Sequence, residues 1–188
     1  MREKDLSSLP DDLPVPEDDG AADHLPGLRV PALDLPASDG TSVDLAALRG
    51  RTVMFAYPRT GKPGEQSLGG DDAWNAIPGA RGCTPQACAI RDTHAEFEAL
   101  DTRVLGLSTQ SPEDQAEAAE RLHLPYPLLS DSELRLTRSL RLPSFEVEGV
   151  TLIRRLTLFL RDGEVEHVQY PVFPPDAAAR RALDWLAA

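Results

Sequence analysis

Runs of apolar residues and their spacing divide this chain into blocks. "TVMFAY" (52–57) and "RVLGLS" (103–108) are continuous apolar stretches rich in β-formers. Such runs predict central strands buried on both faces. Between them, "PQACAIRDTHAEFEAL" (85–100) changes to helical spacing, with Ala87, Ile90, His94 and Phe97 on one stripe. Strand, helix, strand predicts a βαβ unit with parallel pairing and a right-handed crossover. "SPEDQAEAAERLHL" (111–124) predicts a second helix, with Ser111 as N-cap, Pro112 at the first position and acids in the first turn. "SDSELRLTRSL" (130–140) predicts a shorter one capped by Ser130 or Asp131. In "VTLIRRLTLFLRDGEVEHVQY" (150–170) two strands flank an Asp162-Gly163 turn, the signature of an antiparallel hairpin. "DAAARRALDWLAA" (176–188) predicts a closing helix with Leu183 and Leu186 facing in. "LRVPALDLPASDGTSVDLAALRG" (28–50) predicts a short hairpin around Asp39-Gly40.

This order fits one α/β domain over residues 26–188, a thioredoxin-like fold with a central mixed sheet and helices on both faces. Residues 1–25 mix acids and prolines with few large apolar residues, and predict an acidic tail that is disordered or loosely draped. One stretch departs from the short connections of such a domain. "PRTGKPGEQSLGGDDAWNAIPGARG" (58–82) joins a strand to a helix, is rich in Gly and Pro, and has no periodicity. Connections of this length are functional, disordered or tolerated surface insertions. Trp74 is the one residue in it able to pack it down as an ordered cover.

Composition narrows the function. The net charge of −12 argues against nucleic acid or anionic membrane as a partner. No apolar run approaches the roughly 20 residues of a membrane span. No apolar stretch follows the basic residues at the start, so no secretory signal is read and the cytoplasm is the expected compartment. In a reducing compartment two cysteines do not form a permanent disulfide scaffold.

Both cysteines lie in "GCTPQAC" (82–88). A C-x4-C zinc half-site needs two further ligands, and the histidines His24, His94, His123 and His167 are scattered without paired spacing. No metal or cofactor is therefore expected, and His94 reads as a hydrogen-bonded core residue. A reactive thiol fits better. Cys83 falls where a strand leads into a helix, in its first turn or just before it, where free backbone N–H groups and the helix dipole stabilise an anion. Arg81 adds a cation nearby, the setting in which cysteines become nucleophilic. Cys88, one turn deeper, is expected to be more buried. This asymmetry assigns attack to Cys83 and resolution to Cys88. In a continuous α-helix the two Cα atoms would be about 8.6 Å apart, beyond the roughly 4.4–6.8 Å of a disulfide. The thiols cannot bond while that turn is helical. A second helix start, with Thr84 as N-cap and Pro85 as first residue, would bring them to positions that often touch. If they pair, the first turn must open.

"GCTPQACAIRD" (82–92) resembles the active-site motif of Q-type peroxiredoxins, the bacterioferritin comigratory proteins. "YPLLSD" (126–131) and "RRLTLFLRDGEVEHV" (154–168) resemble later segments of the same family, so the likeness runs over about residues 28–188. The resemblance implies a thiol peroxidase acting on hydrogen peroxide or alkyl hydroperoxides. Cys83 would become a sulfenic acid, Cys88 would condense with it to a disulfide, and thioredoxin or a glutaredoxin would reduce the pair. Arg155 matches the family's strand arginine, which steadies the thiolate and the developing charge on the peroxide. Relatives are often monomers. The family's Pro-x-x-x-Thr-x-x-Cys is not contiguous here: Ala76 and Ala80 stand seven and three before Cys83. Pro58 and Thr60 in "YPRTG" take those roles if the long segment is an insertion after them, Pro58 shielding the thiolate and Thr60 orienting the peroxide. Thr84 is the nearer alternative for the hydroxyl. A thiol switch or binding module without peroxidase activity is the competing reading, and a disulfide reductase is disfavoured because four residues separate the cysteines.

Overall fold

A computed structural model describes Leu6 and residues 8–188. Two short strands, β1 (Asp34–Pro36) and β2 (Ser42–Asp44), form the N-terminal hairpin around Asp39-Gly40. β3 (Arg51–Ala56) follows. The segment after it contains a short helix, α1 (Asp71–Asn75), and runs into α2 (Cys83–Asp92). The next elements are α3 (His94–Ala99), β4 (Thr102–Ser108), α4 (Pro112–Arg121), β5 (Leu128–Ser130) and α5 (Arg135–Leu140). The chain closes with β6 (Ser144–Val147), β7 (Val150–Ile153), β8 (Leu156–Arg161), β9 (Glu164–Gln169) and α6 (Ala178–Leu186).

The main sheet has the order β5-β4-β3-β8-β9. β3 pairs parallel with β4, and β4 with β5, while β8 runs antiparallel to β3 and β9 to β8. The sheet is therefore mixed, as expected. Alternation along its strands separates two cores. Met54, Leu105, Leu129 and Leu158 face Leu25, Leu35 and Leu45 together with Leu136 and Leu140 of α5. Val53, Phe55, Val104 and Phe159 face Ile90 of α2, Phe97 of α3, Ala118 of α4 and Leu183 of α6. Phe55 and Phe97 meet edge to face at 5.9 Å, a geometry aromatic pairs prefer.

Several local expectations need adjustment. The helix predicted over 85–100 is two helices broken at Thr93, whose hydroxyl donates back to the carbonyl of Ala89, the kind of local competition that bends helices. The helix predicted over 130–140 begins only at Arg135, because Ser130 is held in β5. Asp131 still serves it, accepting from the amides of Leu136 and Thr137 and from the Thr137 hydroxyl. Ser111 does cap α4, accepting from the amide of Asp114. His94 is half-buried rather than a hydrogen-bonded core residue: its ring stacks on Tyr126 at 6.0 Å.

The segment 58–82 is packed down. Trp74 is buried with Ala80 and Leu152, against Phe145 and Val147 of the β6–β7 hairpin. The acidic segment lies along the domain in its described part. Tyr170 donates to Asp19 at 2.9 Å, and Ala22 and Leu25 belong to the core, ahead of the expected boundary at residue 26. Residues 1–5 and 7 of that expected tail lie outside the described residues. Among the described residues no helix is long and apolar enough to cross a membrane, and no cluster of three or more His, Cys, Asp or Glu side chains could hold a metal ion.

Candidate active site

In an open α/β sheet the loops at the carboxyl ends of parallel strands converge, and ligands bind there. β3 and β4 are neighbours and parallel, so the segments that follow Ala56 and Ser108 leave the sheet on the same side. The first carries Pro58 and Thr60, and the second carries Gln110. The Thr60 amide donates to Gln110 Oε1 at 2.8 Å and the Thr60 hydroxyl to the same oxygen at 3.0 Å. The N-terminus of α2 completes the arrangement. A cavity of about 120 Å³ is lined by Thr60, Cys83 and Thr84, with Leu68 and Trp74 as an apolar wall and Arg59, Lys62 and Arg81 at its border. Pro58 is buried but is not among the residues that line it.

Cys83 is the first residue of α2, and Gly82 is its N-cap. The alternative start, with Thr84 as cap, is not the register adopted: Thr84 and Pro85 are already helical. Gly82 has φ 104°, a left-handed conformation that suits glycine. A Cβ here would also lie 2.6 Å from Pro175 Cγ and 2.8 Å from Leu9 Cδ2. Gly82→Ala is therefore expected to destabilise the fold by about 1–3 kcal/mol. The check is a drop in the urea midpoint at unchanged slope. A midpoint equal to that of the parent protein would show that the turn before Cys83 is not constrained as described.

The two cysteines are both free thiols. Their burial reverses expectation: Cys83 is 4% exposed, whereas Cys88 is half-buried. The reason is angular. Residues 83, 86, 87 and 90 of α2 face inward, and a residue five positions after Cys83 is turned away from that stripe at 3.6 residues per turn. Both lie within one continuous helix. At the standard helical spacing of about 8.6 Å they are too far apart to bond.

Arg155, the arginine that the family resemblance singles out, lies at the sulfur. Arg155 is 2% exposed and sits in the two-residue link between β7 and β8. Its Nη2 lies 3.3 Å from Cys83 Sγ and 3.2, 3.3 and 3.2 Å from the carbonyls of Gly79, Ala80 and Arg81, four acceptors that share its two N–H groups. Its Nη1 donates to Gln86 Oε1. The rigid guanidinium plane thus holds the sulfur and the preceding carbonyls around one nitrogen, with each N–H bifurcated between acceptors. Arg154 turns elsewhere, with its guanidinium 5.5 Å from the Phe145 ring centroid. Arg81 donates to the carbonyl of Ser8 at 3.5 Å. The Arg155 guanidinium puts a charged donor directly against the buried sulfur.

Two tyrosines flank this chemistry without taking part in proton transfer. Tyr57 donates to Gln115 at 2.7 Å, and burial pushes its phenol far above the ordinary value, with the nearby Cys83 charge adding to the rise. Tyr126 donates to the carbonyl of Ala87 at 3.1 Å and is likewise raised, chiefly by burial. Both remain protonated donors across the range in which proteins work. Sequence reasoning missed Gln86 and Gln110. Gln86 lies three residues after Cys83, which puts it on the same helix face. Gln110 lies just past the end of a central strand, the usual position for a site residue in such sheets. Residue type alone marks neither.

The Redoxin family matches residues 25–183 of this chain. Peroxiredoxin Bcp of Escherichia coli K12 is 31% identical over 161 residues, spanning 83% of this chain and 91% of the relative. The structure of peroxidoxin BcpB from Mycobacterium tuberculosis superposes with a TM-score of 0.67 at 29% identity, covering 87% of this chain and 97% of that one. Peroxiredoxin Q of Xanthomonas campestris gives a TM-score of 0.65 at 25% identity, covering 85% and 95%. With that family matched across the domain, and with Bcp- and Q-type peroxiredoxins among the relatives in sequence and in structure, the chain belongs to the redoxin family, among the Q/Bcp-type peroxiredoxins, and is a thiol-dependent peroxidase.

Proposed function

We propose that Cys83 is the peroxidatic residue and Cys88 the resolving one in a two-cysteine cycle that reduces hydrogen peroxide and organic hydroperoxides. One observation carries this reading: a buried sulfur at a helix start, 3.3 Å from a buried guanidinium, opens onto a cavity shared with Thr60. The Cys83 thiolate attacks the terminal peroxide oxygen. An S–O bond forms as the O–O bond breaks, sulfur loses two electrons to become a sulfenic acid, and the departing alkoxide or hydroxide takes a proton from solvent. Arg155 stabilises the negative charge on sulfur and, as it shifts, on the peroxide. Thr60 accepts the O–H of the peroxide, while Pro58 backs the turn that carries it. Leu68 and Trp74 supply an apolar surface for the substituent of an organic hydroperoxide.

Resolution requires the start of α2 to unwind. Cys88 thiol then displaces water from the sulfenic acid to give the Cys83–Cys88 disulfide. An external dithiol, thioredoxin or a glutaredoxin, reduces it by exchange. The half-buried position of Cys88 leaves it accessible to such a partner. The need for a dithiol in every cycle supports a reducing compartment, the cytoplasm, and in this reading the protein acts as a monomer.

The test is a titration of reduced protein with one equivalent of hydrogen peroxide. The parent protein is expected to lose two thiols and gain an intramolecular disulfide. Cys88→Ser is expected to lose one thiol and to hold a sulfenic acid that a dimedone-type reagent captures. Thiol loss at the rate of free cysteine in both proteins would instead indicate a slow redox switch on the same fold.

A further inference from the structure

The hydrogen bonds around Gln110 fix the polarity of the Thr60 hydroxyl. Gln110 is 4% exposed, and its backbone is fixed at the end of the sheet: its amide donates to Ser108 Oγ at 3.1 Å and its carbonyl accepts from Ser130 Oγ at 2.6 Å. The side chain reaches across to the segment that follows β3. The Thr60 backbone N–H, 2.8 Å away, can only donate, so the side-chain atom facing it must be the amide oxygen. The amide nitrogen is then placed to donate to the Thr60 carbonyl, at 3.4 Å. With that orientation set, the Thr60 hydroxyl, 3.0 Å from the same oxygen, must donate to it. A hydroxyl has one proton. Once that proton is engaged by Gln110, Thr60 offers the cavity only lone pairs.

We propose that Gln110 is a positioning residue for peroxide reduction, holding the Thr60 hydroxyl as an obligate hydrogen-bond acceptor toward the substrate. The inference rests on the reading of Thr60 as the residue that orients the peroxide. Its chemical consequence is specific. An acceptor beside Cys83 binds the O–H end of a hydroperoxide, and the oxygen bearing that proton is the one transferred to sulfur. A hydroxyl free to rotate would also turn its proton into the cavity it shares with Cys83, where a donor competes with the acceptor role that the substrate needs. Gln110 removes that competing state.

Four proteins, all carrying Cys88→Ser so that Cys83 is the only thiol, test this: no further change, Thr60→Val, Gln110→Met and Thr60→Val with Gln110→Met. Two rates are measured for each, that with hydrogen peroxide, followed by tryptophan fluorescence in a Trp185→Phe background so that the cavity residue Trp74 is the one reporter, and that with iodoacetamide. Iodoacetamide needs the thiolate but no oriented O–H, so a purely structural role for Gln110 would slow both reactions alike. Thr60→Val is expected to slow the peroxide reaction about 100-fold, and Gln110→Met about 30-fold. Iodoacetamide alkylation should stay within about twofold throughout. The double variant should match Thr60→Val alone, because Gln110 acts through that hydroxyl. Should Gln110→Met not fold, Gln110→Glu serves. Its carboxylate still accepts from both Thr60 donors, so its peroxide-to-iodoacetamide ratio should remain within about fivefold of the parent's. An unchanged peroxide rate in Gln110→Met beside a slow Thr60→Val overturns the inference. So do losses that multiply in the double variant, or a Gln110→Glu ratio as low as that of Thr60→Val. If Thr60→Val itself is as fast as the parent, the reading of Thr60 fails, and the role given to Gln110 fails with it.

Discussion

Cys83→Ser is expected to remove peroxide consumption entirely, leaving only the rate of buffer, while the fold survives. The reaction needs a polarisable anion at the N-terminus of α2. A serine hydroxyl remains protonated at neutral pH and cannot displace an oxygen from peroxide at a measurable rate. The structural change is small. Ser replaces sulfur by oxygen at a position 4% exposed, where the thiol now donates to the carbonyl of Ala80 at 3.7 Å. A hydroxyl can make the same bond, and Arg155 keeps its three carbonyl partners and Gln86. Coupled reduction with a dithiol and measurement of residual peroxide is the check, with circular dichroism as the control for folding. Residual turnover above a few per cent would assign the attacking sulfur to Cys88. Its half-buried place off the inward face of α2 argues against that.

Arg155→Met has the second-largest expected effect, on rate and on stability together. On rate, losing the one guanidinium at the sulfur removes a preorganised donor from the charge that moves during O–O cleavage, a loss of about 10²–10³-fold. On stability, Nη2 shares its two N–H groups among the sulfur and three consecutive carbonyls, of Gly79, Ala80 and Arg81. Those carbonyls form the approach to Cys83, and methionine cannot donate to them. Only the Ala80 contact is fully buried, and a buried acceptor left unsatisfied costs about 1–3 kcal/mol, while water can reach the part-buried Gly79 and Arg81 carbonyls. A net destabilisation of about 3 kcal/mol is expected. Arg155→Lys should recover part of the rate by restoring a charge. It should recover less of the stability, since a single ammonium cannot span the fan of acceptors. Stopped-flow reaction with peroxide and urea unfolding separate the two effects. A variant with wild-type peroxide kinetics would show that the sulfur is activated by the helix terminus alone.

Much of the architecture was legible because it depends on local pattern. The continuous apolar runs became β3 and β4, and the Asp162-Gly163 turn became the hairpin between β8 and β9. Both signals come from neighbouring residues and survive any tertiary context. Boundaries were less legible. Thr93 splits one predicted helix by bonding to its own backbone, and Ser130 is taken into β5 before α5 begins. In each case a side chain or strand partner outweighed helix propensity.

The candidate site divides in the same way. The pair Cys83 and Cys88, their place on one helix, and the thiol chemistry they imply came from the sequence, since spacing along a helix fixes angle and distance. The cation at the sulfur was legible only through the family resemblance, which pointed to Arg155, whereas nearness along the chain pointed to Arg81. Arg81 is two residues away in the chain yet turns to Ser8, whereas Arg155, seventy-two residues on, reaches Sγ. The relative burial of the two cysteines was likewise set by which face of α2 meets the sheet and α6. Gln110 joined Thr60 only because two parallel strands end side by side. Local spacing determined the fold class and the placing of both thiols on one helix. Packing between segments distant in sequence decided the environment of those atoms, because charge, burial and hydrogen-bond partners are properties of what surrounds a residue in space.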